Sequence, residues 1–496
     1  MRRIISRVPT DYTAKRDAFH YQLEAFTTIK DFEYSAIFHE QGLGKTKIAI
    51  DLILYWLKCK DIDTVMVVTK KQLVKNWQNE FSVHTNIKPK VLTSNKIDNF
   101  YVLNSATRVI IANFEALSTD KDRVKLFLKS RNVAIIIDES TKLKNPDAQL
   151  TKDFFELSEY FKIRTIMTGT PIANRPYDIW AQIYFLDHGK SLGTDFNEFK
   201  KHTDLSNKLN TDEWEKLKFE ETVSQIFNQI SSFSVRETKK SCGIELPEKV
   251  YQTIFTPFEP TQYRMYHNVI SELELLVTKD GQTVVDDESV SLKRLLRLLQ
   301  IVSNPKLIDD SYNAKSGKEA TLEELLHQIC EVGDKCIVWS NYIENIDYFC
   351  SKFQKYNACK IHGAMNIEDR NNSVDKFKND STCQVLFATP QAAKEGLTLT
   401  VANNVIFYDR GFNLDDYLQA QDRIHRISQK RTCYIYNFIT QNSIDEWVDK
   451  LIEAKHYAAL LAQGDILREE YVRIADYSYG EMIQMILNTG DSYEQY

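Results

Sequence analysis

The chain is 496 residues long, and with 43% hydrophobic and 27% charged residues but only 15 Gly and 10 Pro it lies far from disordered or low-complexity composition. That length is too great for one ordinary core, so two lobes of roughly 200 to 250 residues each are expected. A net charge of -6 argues against a surface that coats nucleic acid throughout, while leaving room for a local basic track inside a cleft.

Eight cysteines include no CxxC pair, which speaks against a zinc ribbon or a thioredoxin-like redox site and for free thiols in a reducing compartment. The N-terminal Arg2 and Arg3 are not followed by an apolar run of signal-peptide length. The most apolar stretch, Ile48 to Leu57, is about half of what a bilayer requires and carries Asp51. A soluble, cytoplasmic protein without membrane partners is expected.

In chain order, the first chemical signal is HEQGLGKT (His39–Thr46), set between a short apolar run, Ala36 to Phe38, and a segment with Ile48, Ala49, Leu52, Ile53, Trp56 and Leu57 at helical spacing. Glycines at Gly42 and Gly44, with Leu43 between them, let backbone N–H groups close around phosphate oxygens, and a helix start adds a favourable dipole. Lys45 would reach the terminal phosphates and the Thr46 hydroxyl would bind Mg2+. The strict pattern has Gly where this chain has His39.

Apolar, β-branched runs follow at TVMVVT (64–69), RVIIAN (108–113), NVAIIIDES (132–140) and RTIMTGT (164–170), the signature of buried parallel strands alternating with helices. IIIDES ends a strand in Asp138 and Glu139, at the edge where such sheets bind ligands. Asp138 can hold Mg2+, and Glu139 can orient and deprotonate an attacking water. From about 190 to 310 the sequence turns polar and helix-favouring, which predicts helical insertions, with GQTVVDDES from Gly281 as a loop. A second strand set then runs through KCIVWS, CKIHG, CQVLFAT, NVIFYD and CYIYNFIT, from 335 to 440.

Together these elements resemble the Swi/Snf-like ATPases of helicase superfamily 2, from Gln22 to Trp447. VVTKKQLVKNWQNEF is similar to the family's motif Ia, DESTKLKN to motif II, TGTPIANRPYDIWAQIYFL to motif III, VWSNY to motif IV, ATPQAAKEGLTLTVANNVIFYD to motif V, and QAQDRIHRISQ (Gln419–Gln429) to the last motif. The resemblance implies an α/β architecture of two RecA-like lobes, each a parallel sheet flanked by helices. The first would span 1–245 with a helical protrusion at about 190–235, and the second 246–496 with another at about 258–310 and a helical tail.

The resemblance also distributes roles. Gln22 would read the adenine edge of ATP. Arg423 and Arg426, on a second-lobe helix, would place positive charge against the γ-phosphate in the transition state, an effect worth about 10³ to 10⁵ in rate. Thr168, Gly169, Thr170, Gly396 and Gln419 would couple hydrolysis to motion. Lys70, Lys71, Asn113, Ser340, Asn341, His362, Gly363 and Thr389 would contact DNA, mostly at phosphates. Departures are His39 for an acidic residue, Thr141 for His, Phe412 for Trp and Ser428 for Gly. AAKEGLT in motif V is closer to the annealing-helicase branch, and the compact chain is similar to phage-encoded members acting on forks and four-way junctions. The expected activity is therefore an ATP-dependent DNA translocase that remodels branched DNA. A motor that strips proteins from DNA and a non-hydrolysing DNA-binding scaffold are the alternatives.

Overall fold

The structure, a computed structural model, describes residues 11–172, 174–205, 213–279, 282–283, 288–393, 397–426 and 428–474. It divides into two compact units. The first comprises the described residues up to Glu245 together with Ala458–Ile474, and the second runs from Leu246 to Tyr457.

In the first unit β1 (Tyr34–Ile37), β2 (Thr64–Thr69), β3 (Lys90–Leu92), β4 (Val109–Asn113), β5 (Val133–Asp138), β6 (Ile163–Met167) and β7 (Ser234–Val235) form one sheet in the order β3-β4-β2-β5-β6-β1-β7. Every pairing in it is parallel. A parallel sheet covered on both faces needs continuous apolar strands, and all six residues of both β2 and β5 are buried. The helix Lys45–Cys59 lays Ile48, Leu52, Ile53 and Trp56 against Val65, Val67, Ile111 and Ile136. It begins where Gly44 takes a left-handed conformation (φ 70°, ψ 40°), a turn that glycine makes without steric cost.

The second unit contains β8 (Lys249–Thr256), a short antiparallel pair of β9 (Thr278–Lys279) and β10 (Gln282–Thr283), and then β11 (Cys336–Trp339), β12 (Cys359–Ile361), β13 (Val385–Ala388), β14 (Asn404–Phe407) and β15 (Cys433–Thr440). Its parallel sheet has the order β12-β13-β11-β14-β15-β8. Alternate residues serve opposite faces. Ile337, Trp339, Leu386, Val405 and Phe407 fill one core, and Val338, Phe387 and Ile406 fill the other.

The expected architecture, two parallel sheets flanked by helices, is therefore the one observed. Three details differ from expectation. Ala458–Ile474 groups with the first unit, whereas the second lobe was expected to span 246–496. GQTVVDDES is not all loop, because Gln282–Thr283 pairs with Thr278–Lys279 and a helix starts at Glu288. β8 was not expected as a strand. It is an edge strand with Tyr251 53% and Phe255 54% exposed, so it lacks the continuous apolar run of its neighbours and is defined by its ladder with β15, from Lys249↔Cys433 to Thr256↔Thr440. Helices Phe196–Thr203, Glu213–Ile230, Pro260–Val277 and Glu288–Ser303 occupy the polar stretch between the two main strand sets.

Candidate active site

The loop between β1 and the helix Lys45–Cys59 has Gly42 and Gly44 at φ 90° and 70°. Lys45 Nζ donates to the loop's own carbonyls, at 2.9 Å to His39 O and 3.3 Å to Glu40 O. Desolvation holds this ammonium below the ordinary lysine range, and the charges of Glu139, Asp138 and Glu40 oppose that shift. Gly169 closes the loop from the β6 side: a methyl group there would lie 2.6 Å from Gln41 Cγ and 3.1 Å from Lys45 Nζ. Only glycine permits that approach. Thr168, buried at the end of β6, accepts from Thr170 N at 3.2 Å and bonds back to β1 through its N–H to Ile37 O. The structure thus brings Gly169 against the phosphate loop, with Thr168 tied to the end of β1 and Thr170 bonded to Thr168.

Gln22 is also brought there, but its amide is engaged with the chain itself. Its Nε2 donates to Leu43 O at 3.1 Å and its Oε1 accepts from Phe19 N at 3.0 Å. It ties the helix His20–Ile29 to the phosphate loop, a role that the sequence reading did not include. Thr46 is half-buried in the first turn of its helix. His39 is fully buried, neither ring nitrogen has a hydrogen-bond partner among the described residues, and burial, with the nearby Lys45 charge, pushes its pKa down to about 4. A neutral ring therefore stands at this position.

Asp138 ends β5, next to β2 in the sheet. Its Oδ2 accepts from Trp77 Nε1 at 2.8 Å and Thr69 Oγ1 at 3.1 Å. Burial, reinforced by the neighbouring Glu139 charge, still pushes the carboxyl up to about 6. Neither Trp77 nor Thr69 was assigned a role from the sequence. The available signal was Trp77 itself, since a buried indole N–H needs an acceptor. Glu139 adopts a left-handed conformation (φ 56°, ψ 53°), uncommon without glycine. Its Oε2 is buried with no hydrogen bond among the described residues, and Lys70 Nζ lies 3.8 Å away. Gln182, also missed, accepts from Ser140 Oγ at 2.7 Å and donates to Pro171 O at 2.8 Å, joining motif II to motif III.

Lys70, Lys71 and Asn113 line one cavity of about 460 Å³, with Lys96, Asn99 and Lys142 among the other walls. Its walls come from segments that follow β2, β3, β4 and β5, the carboxyl edge of the sheet. Asn113 uses its side-chain oxygen to cap the helix Phe114–Thr119.

In the second unit Ser340 and Asn341 follow β11, His362 and Gly363 follow β12, and Thr389 follows β13, so these three neighbouring strands deliver them to the same edge of their sheet. Ser340 differs from expectation: it is fully buried and its hydroxyl donates to Asp409 Oδ2 at 2.5 Å, which leaves it inside the protein and not facing a ligand. Asn341 also binds Asp409, through its backbone at 2.7 Å and its side chain at 3.0 Å. His362 is 6% exposed and lies 3.2 Å from Asp347, the Gly363 carbonyl accepts from Arg370 at 2.8 Å, and Thr389 is 7% exposed.

Arg423 and Arg426 do not sit on a helix as expected. The helix Leu414–Gln421 has ended: Arg423 N and Ile424 N bond three residues back, to Ala420 O and Gln421 O, and the Arg423 carbonyl accepts from Leu399 N at 2.9 Å. Arg426 Nη1 donates to Thr398 Oγ1 at 2.7 Å and Arg423 Nη1 to Leu397 O at 3.4 Å, which pins both arginines to motif V. Gln429 completes this knot. Its amide nitrogen reaches Thr400 O, Ala402 O and Ile424 O, and its oxygen accepts from Lys430 N and Arg431 N. Gln419 is buried and donates to Asp415 at 2.7 Å. Ser428, which departs from the family's glycine, shares a 2.8 Å hydrogen bond with Thr400 Oγ1. Gly396 lies outside the described residues.

The left-handed glycines, the close approach of Gly169 and the acid pair make a donor set that fits ATP with Mg2+. Among the described residues no three His, Cys, Asp or Glu side chains are grouped to hold a metal, so Mg2+ here would depend on phosphate oxygens beside Thr46 and Asp138. All eight cysteines are free, and no helix among the described residues is long and apolar enough to cross a membrane.

Residues 31–307 match the SNF2-related domain and residues 317–428 the helicase conserved C-terminal domain. An uncharacterized ATP-dependent helicase of Mycoplasma pneumoniae is 28% identical over 86% of this chain and 40% of its own length. The ISWI chromatin-remodeling complex ATPase ISW2 of Saccharomyces cerevisiae is 26% identical over 82% and 37%, and the DNA repair and recombination protein RAD54-like of Gallus gallus is 26% identical over 90% and 66%. The chain thus spans between 37% and 66% of the length of these relatives. The solved Sulfolobus solfataricus SWI2/SNF2 ATPase core in complex with dsDNA is similar at 25% identity and a TM-score of 0.42, over 96% of this chain and 98% of that one.

Proposed function

The chain belongs to the SNF2-related domain family of ATPases, and from that premise we propose that it is an ATP-dependent DNA translocase that remodels branched DNA, by branch migration, fork regression or strand annealing. The observation that carries this reading is the meeting, at the carboxyl edge of one sheet, of Lys45, Asp138 and Glu139 with the TGT turn, next to a cavity lined by four lysines. Lys45 would release the His39 and Glu40 carbonyls to hold the terminal phosphates, and backbone N–H groups from Gly42 to Thr46 would surround them. Bound Mg2+ would neutralise phosphate charge, with Thr46 and Asp138 as its protein ligands. Glu139 would orient the attacking water and take its proton. We assign Arg423 and Arg426 to stabilising the negative charge of the same transition state.

For the nucleic-acid side, the lysine-lined cavity suits a sugar-phosphate backbone. Support for branched substrates comes from the AAKEGLT form of motif V and from the likeness to a protein named for DNA repair and recombination. Lys45→Ala and Glu139→Gln are each expected to reduce DNA-stimulated ATP hydrolysis by at least 10³ while leaving the circular dichroism spectrum unchanged, and normal turnover in either variant would refute the site. ATPase and strand-exchange assays on single-stranded, linear duplex, forked and four-way DNA test the substrate. Equal activity on all of them would redirect the reading to a motor that strips proteins from DNA.

A further inference from the structure

We propose that Lys70 is a positioning residue that restrains Glu139 until a phosphate in the lysine-lined cavity draws Lys70 away, so that binding of nucleic acid releases the general base. This deepens the ATPase reading and rests on it.

β2 and β5 run parallel, with Val68 opposite Ile137. One step further, Thr69 reaches Asp138 through its hydroxyl. The next residues out, Lys70 and Glu139, come within 3.8 Å, Nζ to Oε2. That oxygen is buried and accepts no hydrogen bond among the described residues. It therefore meets a cation without being satisfied by it. At 3.8 Å the pair is held by charge alone, beyond hydrogen-bond length, and such partly exposed pairs contribute little. A weak pair of this kind is readily exchanged for a better partner.

The better partner has a place to bind. Lys70 also lines the cavity that holds Lys71, Lys96 and Lys142, and Lys142 lies in the short helical turn Ser140–Leu143 directly after Glu139. A phosphodiester there would meet several cations at once; Lys142 already pairs with Glu115 of the cavity wall at 3.3 Å, whereas the carboxylate that Lys70 would leave is Glu139. While Lys70 stays, its ammonium occupies the space beside the oxygen to which the hydrolytic water must give its proton. When Lys70 turns to the phosphate, that oxygen becomes available to water. Glu139 is in a left-handed conformation that the surrounding fold must enforce, so its backbone holds position through the exchange.

The test is ATP hydrolysis by the full chain, wild type against Lys70→Met and Lys70→Arg, with kcat and KM for ATP determined with and without duplex DNA. Lys70→Met is expected to raise DNA-free kcat about fivefold or more with KM unchanged, so that stimulation by DNA shrinks toward one. Lys70→Arg, whose guanidinium can hydrogen-bond the Glu139 carboxylate in a way the lysine at 3.8 Å does not, is expected to hold DNA-free kcat at or below wild type. A DNA-free kcat for Lys70→Met at or below wild type, in a protein whose wild type is stimulated by DNA, overturns the restraint. A wild type that hydrolyses no ATP under any condition overturns instead the ATPase reading beneath it.

Discussion

Asp138 carries two hydrogen bonds on one carboxylate oxygen, yet its pKa is still pushed up to about 6 by burial and by the Glu139 charge beside it. An acid with a raised folded-state pKa costs stability as pH rises from its unfolded value, near 4, through the folded value. Asp138→Asn keeps an oxygen for Trp77 and Thr69 and removes the charge. In magnesium-free buffer at pH 8 this variant is expected to be more stable than wild type by ~1–2 kcal/mol, with the advantage vanishing by pH 4. Thermal unfolding across that pH range checks it, and equal melting temperatures at pH 8 would contradict the electrostatic account. At this scale Lys45, Asp138 and Glu139 were legible as candidates because each lies in a short run of telling residue types. The acceptors and donors around them were not legible. Trp77 is 61 residues from Asp138 and Gln182 is 42 from Ser140, and nothing in the spacing of either pair announces a contact.

Among the elements, the last motif shows how a local reading can name the right segment and mistake its shape. The resemblance puts Arg423 and Arg426 on a helix, but the helix stops at Gln421: the next N–H groups bond three residues back, to Ala420 O and Gln421 O, and the Arg423 carbonyl goes to Leu399 of motif V. Gln429 is the keystone of that exchange: its two N–H hydrogens are shared among three carbonyls and its oxygen accepts from two backbone N–H groups. Replacing it with Ala strands buried backbone groups, each costing about 1–3 kcal/mol if left unpaired. Gln429→Ala should therefore lose ~2–4 kcal/mol of stability, measured by urea denaturation, and should lower ATP turnover more than ATP affinity. A stability loss below about 0.5 kcal/mol would mean that the knot is dispensable. Edge strand β8 teaches the complementary lesson. Its apolar residues face solvent as often as core, so periodicity fails, and only β15 beside it defines the strand.

For the whole molecule, a net charge of -6 and a cavity that gathers Lys70, Lys71, Lys96 and Lys142 make the proposed attraction to DNA a local one. Its apparent DNA affinity should then fall steeply with salt, with the logarithmic slope set by the number of phosphates engaged. Lys71→Ala should reduce that slope by about one and weaken binding alike on every sequence tested. A slope unchanged in Lys71→Ala, measured by fluorescence anisotropy between 50 and 200 mM salt, would place the DNA track elsewhere.

The class of fold and the family were legible in the sequence alone, together with the runs from which a phosphate site is proposed. Those are written in contiguous runs: apolar stretches long enough to be buried strands, a glycine-rich turn before a helix, acids at the end of a strand. Only the tertiary structure decided which side chains serve those acids, that Gln22 braces the phosphate loop, that Ser340 turns inward, and that Lys70 faces Glu139. Each of these is a contact between segments distant in the chain, and it exists because strand order and register carry those segments to one edge of a sheet.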